Sequence, residues 1–380
     1  MDVTHRYSLE GKDTTVGSMA TFVPGRDLAR TFYHEVLRDI VGAIPHAAGL
    51  LGEGSDVLGF DTARSTDHAW GPRAQIFVDA AAVPGLRMRL DAELPSVFRG
   101  WPVRFYRWQS DRVDHHIEVI TVGEWIQTTL GRDPRSAMPL SAWLSTPRQL
   151  LLEVTGGLVF HDDAGELSLV RTLLEWYPHD VWLWVMAAQW SRLANAESFI
   201  GRTAELGDDL GARLIAGRIA QDAVHLCFLQ ERRYAPYEKW LGTAFAQLTA
   251  ATEVGPAIHD LLTAADVARC KRAAVHLYGA LARRHNALGV TLPLPAATGP
   301  YEVKVNKALR PYAVLNAGRF AQACAEAIAD AALRRLPLVG SVDQLTDPTD
   351  LLVHFTDWPR RLSTLYQHDL DREAGPSQPA

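Results

Sequence analysis

Cysteine is scarce: Cys227, Cys270 and Cys324 are the only three, and they stand more than forty positions apart. That spacing excludes a disulfide framework and a zinc ligand set, and it predicts a reducing, cytoplasmic setting. No apolar run reaches the length that crosses a bilayer, and Met1-Asp2-Val3-Thr4 lacks the basic and apolar regions of a signal peptide. The expectation is an unexported protein that does not engage a membrane. A positive excess is missing too. With 38 basic and 44 acidic residues the formal net charge is -6, which excludes global attraction to nucleic acid but leaves room for a local basic pocket. No repeat of fixed period is present, so a solenoid is excluded.

What the chain does have is apolar material, 47% hydrophobic against 22% charged residues over 380 positions. That is enough for a sizeable core in two domains, or in one domain with a helical extension. The pattern changes near residue 140. Before it, residues 26–44 place Leu28, Phe32, Val36, Leu37 and Ile40 at helical spacing, and residues 47–51, 74–78, 103–108 and 116–122 read as short strands. Residues 85–93 read as a helix between them. After it, helical patterns cover 167–176, 181–200, 209–231, 237–249, 264–285 and 317–336. The expected division is an α/β domain over 1–140, a helical domain over 141–370 and a flexible tail over 371–380.

The chemistry concentrates between Gly52 and Val78. Gly52-Glu53-Gly54-Ser55-Asp56-Val57-Leu58-Gly59 follows an apolar strand, and such a turn can present backbone N–H groups and a hydroxyl to a phosphate. Twelve residues beyond Ser55, Asp67 enters the run Asp67-His68-Ala69-Trp70-Gly71-Pro72-Arg73, with a strand after it. Glu118 adds a carboxylate inside the apolar strand 116–122. Phosphate-holding turns beside carboxylates suit metal-assisted phosphoryl or nucleotidyl transfer, because the cation bridges protein and phosphate oxygens.

The Gly-Ser turn and the acid before the next strand resemble the polymerase-β-like nucleotidyltransferase pattern. More closely, Phe22-Val23-Pro24-Gly25, Gly54-Ser55-Asp56-Val57-Leu58-Gly59-Phe60-Asp61, Asp67-His68-Ala69-Trp70-Gly71-Pro72-Arg73 and Arg232-Arg233-Tyr234-Ala235-Pro236-Tyr237-Glu238-Lys239-Trp240 resemble a bacterial domain-of-unknown-function family, DUF4037. The likeness runs from about Phe22 to Asp350. It implies an α+β fold: an N-terminal nucleotidyltransferase-like mixed sheet with helices, then a C-terminal helical bundle. It also implies transfer of a nucleoside monophosphate from ATP or another nucleoside triphosphate, with Mg2+ or Mn2+, to a small-molecule or protein acceptor. On this pattern Gly54, Ser55 and Asp56 hold phosphate, and Asp67 and Glu118 serve as metal ligands and catalytic acids. The sequence departs from the pattern at Ala69, where a second metal carboxylate is expected. Either another acid such as Asp56 or Asp61 completes the site, or catalysis is weak, or the position has been disabled.

In the helical half, chemistry rather than a matched motif nominates Lys239 and Arg232 for phosphate charge and Glu205 or Asp208 as a general base. Each nomination has a plainer competitor. Gly54-Ser55 fits a helix N-cap, Asp67 a loop acid, Glu118 the exposed side of its strand, and the charged helical residues a solvated face with i,i+4 pairs. The close tryptophans Trp176, Trp182, Trp184 and Trp190 read as core. Two further functions stay open: a nucleotide-binding regulator of the same fold with weakened catalysis, and an antitoxin-like partner of a helical ribonuclease. The spacing of Arg269, Arg272 and His276 resembles that of helical ribonuclease domains, but such spacing recurs by chance in helices.

Overall fold

The computed structural model describes residues 21–67, 70–106, 112–303, 305–353 and 357–371. His68, Ala69 and all but the first residue of the expected tail lie outside them. The opening helix runs through Gly25–Phe32, a π-helical turn Tyr33–Leu37 and Arg38–Val41. Leu28, Phe32, Leu37 and Ile40 form its buried stripe, as the spacing predicts. The wider π turn also carries Tyr33 onto the buried face and leaves Val36 half-buried.

Five strands make one mixed sheet: β1 Ala47–Leu50, β2 Arg73–Phe77, β3 Arg104–Tyr106, β4 Val113–Ile120 and β5 Leu158–Asp162, in the order β3-β4-β2-β1-β5. β2 and β4 are parallel, which demands a crossover, and the helix Val83–Glu93 supplies it. The other pairings are antiparallel. Alternation along the strands sorts the side chains. Ala48, Ala74, Ile76, Ile117 and Val119 face the opening helix and the crossover helix, where Leu28, Phe32, Leu86 and Leu90 complete a core. The opposite face carries Ala47, Phe77 and Ile120 into the core of the helical half, and carries Arg73, Gln75, His116 and Glu118 alongside them.

The chain therefore is α+β, a mixed sheet followed by a helical bundle. The fifth strand, however, comes from beyond residue 140. After the helix Arg148–Thr155, Gly156 and Gly157 break the pattern, and Leu158-Val159-Phe160 returns to pair with β1. Gly157 has φ +67, and a Cβ there would collide with the Leu50 carbonyl oxygen, so only glycine lets this strand approach β1. Sheet and bundle thus share an edge strand and a continuous core.

The longest helices of the bundle are His179–Ala196, Asp209–Gln230 and Val267–Leu288. Trp182, Trp184 and Trp190 are fully buried, and their indole N–H groups donate to Leu229 O, Leu336 O and His285 Nδ1. They are core posts with their polar handles satisfied. A helix at Ala250–Thr263 contains Pro256, the residue that hides it from a pattern-based reading. No described helix is long and apolar enough to cross a membrane.

Candidate functional site

The glycine turn leaves β1 through Gly52, at φ +82, and Gly54, at φ +133, and enters the single helical turn Ser55–Leu58. Gly52 N donates to Glu153 O, so the helix Arg148–Thr155 holds the turn from the bundle side. Arg73, on β2, staples it from the sheet side. Its Nε and Nη2 donate to Asp56 at 2.8 and 2.6 Å, and Nη2 also reaches Glu53 O at 2.7 Å. The side chains are only 14% and 5% exposed. Burial works against the Arg73 charge, but Asp56 outweighs it and raises the pKa above the ordinary guanidinium value. A Cβ on Gly54 would strike this pair.

Gly54, not Ser55, occupies the N-cap position, and no side chain closes it. Gly54-Ser55 thus does open a helix, but with the Ser55 hydroxyl making no capping bond. The amides of Gly54, Ser55 and Asp56 donate to no described group, the open arrangement that an anion requires. Asp61 ties the motifs together: its Oδ2 accepts from Gly25 N at 2.7 Å and from Trp70 Nε1 at 2.9 Å.

Asp67 ends the 3-10 turn Ala63–Asp67 and is exposed. Glu118 is exposed on β4, in register with Gln75 and on the same face as His116, whose ring stacks on Phe105 at 3.8 Å. Ala69, where a further carboxylate is expected, lies outside the described residues. Arg73 donates to both oxygens of Asp56 and so ties that acid to the turn. Among the described residues, the groups whose ligand atoms lie close enough to hold an ion are His46–His161–Asp163 and Asp91–Asp114–His115, and neither includes Asp67 or Glu118. Those two acids do offer the hard oxygen donors that Mg2+ or Mn2+ prefers.

From the bundle, residues 234–240 come to the turn. Tyr237 N donates to Gln149 Oε1 at 3.1 Å, and Trp240 meets Phe60 at 5.5 Å between ring centroids. Phe60 N in turn donates to Ser55 O. Lys239 is exposed, with Nζ 5.1 Å from the centre of the Trp240 ring, the indole that meets Phe60. Arg232, at φ +52, stacks instead over Trp182 at 4.3 Å. Glu205 pairs with Arg310 at 3.6 Å, and Asp208 caps the helix Asp209–Gln230 by accepting from Gly211 N. That helix rises about 1.5 Å per residue. Asp208 is therefore about 20 Å from Gln221, whose amide bonds Glu238 beside Lys239. The fold packs the segment that carries Lys239 on Phe60, the residue after the glycine turn, and leaves Glu205 and Asp208 at the far end of the helix.

Glu153 was not among the expected site residues. It is 6% exposed, and burial pushes its pKa up to about 7, against a hydrogen bond from Gln149 and with repulsion from Glu53. Tyr237 lies beside it. A carboxyl that changes charge near neutrality, in the joint between glycine turn and bundle, can take or give a proton there. Its signal in the sequence is an acid inside Leu150-Leu151-Leu152-Glu153-Val154, the same anomaly that singles out Glu118.

An α+β chain with a glycine turn at the sheet–bundle joint is the class these observations define. The family model of the domain of unknown function DUF4037 matches residues 143–241, the family to which the motifs pointed. That segment carries Gln149, Glu153, Tyr237 and Lys239. Among solved structures, the chain is similar to a nucleotidyltransferase-like protein from Exiguobacterium sibiricum 255-15, at 16% identity over 70% of this chain and 77% of the other, with a TM-score of 0.32. A likeness at that level says nothing about chemistry. No curated protein matches the chain.

Proposed function

We propose that this chain transfers a nucleoside monophosphate from a nucleoside triphosphate, with ATP the first donor to test, onto an acceptor held at the joint between sheet and bundle. The observation that carries the reading is the braced glycine turn with its open amides; Lys239 is a candidate cation on the bundle segment that packs, through Trp240, on Phe60 at the end of that turn. The amides of Gly54 and Ser55 bind phosphate oxygens, and Lys239 offsets their charge. The acceptor oxygen attacks the α-phosphorus, the bond to pyrophosphate breaks, and Glu153 takes the acceptor proton. A divalent cation held by Asp67 and Glu118 would supply Lewis-acid charge when bound.

Calorimetry with ATP and magnesium, followed by an assay for pyrophosphate, tests this. Absence of binding by any nucleoside triphosphate sinks it. A second reading, a nucleotide-binding regulator with weakened catalysis, is favoured by the outward positions of β2, where Arg73 and Gln75 stand rather than carboxylates. It expects binding without release of pyrophosphate. Under the first reading, Ala69→Asp raises pyrophosphate release more than it changes nucleotide affinity.

A further inference from the structure

The helices Arg148–Thr155, His179–Ala196 and Asp209–Gln230, with the short helix Val342–Leu345, line a partly open cavity of about 140 Å³. That is close to the roughly 150 Å³ of an engineered cavity that takes benzene, so there is room for one six-membered ring. Its wall is polar, and the polar groups pair with one another incompletely. Arg192 Nε donates to Asp222 Oδ1 at 2.7 Å, while Arg148 Nε stands 3.5 Å from Asp343 Oδ2. Three side-chain atoms are buried without a hydrogen-bond partner: Arg148 Nε, His225 Nδ1 and Asp222 Oδ2, which has only the Arg218 Nε at 3.9 Å, beyond hydrogen-bond range. Arg148 and Asp222 are only 4% and 2% exposed. Leaving such an atom unmatched is costly, and native interiors normally satisfy it with ordered water or a ligand.

The charge of the wall restricts the occupant. Arg148 and Arg192 are balanced by Asp343 and Asp222, and Glu238 and Asp347 add negative charge at the same cavity. An anion is disfavoured. Burial, with Arg148 and Arg192 nearby, holds the His225 pKa well below its ordinary value, so the ring is neutral at neutral pH. The wall thus needs donors for Asp222 Oδ2 and His225, and an acceptor for Arg148 Nε. Hydroxyl groups do both. Pro236, Tyr237 and Leu352 add apolar surface for the C–H face of a ring.

We propose that this cavity binds a neutral polyhydroxylated ring, a monosaccharide or cyclitol, and that it is the acceptor subsite of the transfer. The acceptor role rests on the function proposed above. It is supported by two shared residues: Gln149 and Tyr237 line the cavity and also contact the joint, Gln149 through its hydrogen bond to Glu153.

The test is saturation-transfer NMR on the full chain with D-glucose and myo-inositol, and with glucose 6-phosphate as the charged control. Transfer is expected to both neutral probes and not to the phosphate. Asp222→Asn should weaken it at least tenfold, about 1.4 kcal/mol, and Gln221→Ala, on an exposed wall position, should weaken it without threatening the fold. No transfer to either neutral probe, equal transfer to glucose 6-phosphate, or undiminished transfer in both folded variants would overturn the proposal. A chain that binds ATP but neither polyol refutes this subsite alone. A chain that binds a polyol but no nucleoside triphosphate refutes the acceptor role together with the transfer reading.

Discussion

At the glycine turn, Arg73 and Asp56 meet in a two-bond pair that leaves the amides of Gly54 and Ser55 open; in the helical cavity, Arg148 and Asp343 stand 3.5 Å apart and Asp222 keeps one oxygen unmatched. Both regions set arginine against buried aspartate, one pair at the turn and two at the cavity, yet they do different things with them. The completed pair fixes a shape, and the main chain makes the contact. The uncompleted pairs hold their own hydrogen-bonding capacity in reserve. Scaffold and contact can therefore be told apart by asking whether a buried ion pair is closed.

The comparison breaks most sharply at Arg73. Arg73→Ala leaves Asp56 buried without its cation, and removal of one partner of a buried pair costs about 3–5 kcal/mol. Urea denaturation should register that loss, with nucleotide binding abolished as the turn opens. A loss under about 1 kcal/mol, within the ordinary range for surface substitutions and exposed pairs, would show that Arg73 is not a brace.

Glu153 gives the next largest effect, and it depends on pH. Its folded pKa, about 7, lies above the ordinary glutamate value of 4.5, so between these values the folded state keeps a proton that the unfolded chain has released. Stability contributed by this group is full below about pH 4.5, falls as pH rises and levels off above about 7. At about 1.4 kcal/mol per tenfold in proton affinity, the fall is about 3 kcal/mol. Glu153→Gln should remove that fall from the stability profile. Glu197, also raised to about 7 by burial, retains its own fall in the variant and serves as an internal reference. An unchanged profile would mean that Glu153 is ionised in the fold and unsuited to accept the acceptor's proton.

Gly54→Ala sharpens the turn itself. At φ +133, and with Arg73 and Asp56 against the new methyl group, the backbone must strain or the pair must open. The expected cost is about 1–3 kcal/mol, with ATP affinity reduced by more than stability alone explains. Thermal denaturation and calorimetry on the same samples separate the two. If affinity is unchanged in a folded variant, the turn is not the phosphate site.

These regions were unequally legible. The glycine turn is local: Gly54, Ser55 and Asp56 adjoin one another, and a strand before them marks their place. The longest helices follow from spacing, whereas Ala250–Thr263 is hidden by Pro256, and Val122–Leu130, Arg148–Thr155 and Asp357–Leu370 also lie outside the predicted helical patterns. β5 was missed because its identity depends on pairing with β1, more than a hundred residues earlier, and only Gly156-Gly157 marks its start. The cavity was illegible for the same reason. Arg148, Asp222, His225 and Asp343 come from three separated helices, and each alone reads as an ordinary charged or polar position. Asp208 shows the converse: a residue chosen for its chemistry turned out to cap a helix.

Lys239 carries the smallest expected effect and the cleanest separation of the two regions. Its side chain is exposed, so solvent and salt screen its attraction for phosphate, and an exposed charge contact is worth about 0.2–1 kcal/mol. Lys239→Ala should weaken ATP binding by a factor of about two to five, with stability unchanged to within about 0.5 kcal/mol. Because the lysine stem also covers the Trp240 ring, Lys239→Gln is the better control: it keeps the stem and removes only the charge. If charge is the cause, both variants lose the same affinity, and the difference from the parent chain shrinks as salt is raised. If stem packing is the cause, glutamine restores binding at every salt concentration. Neither substitution should alter saturation transfer to myo-inositol. A change there would mean that Lys239 reaches the cavity, and that the turn and the cavity are one site rather than two.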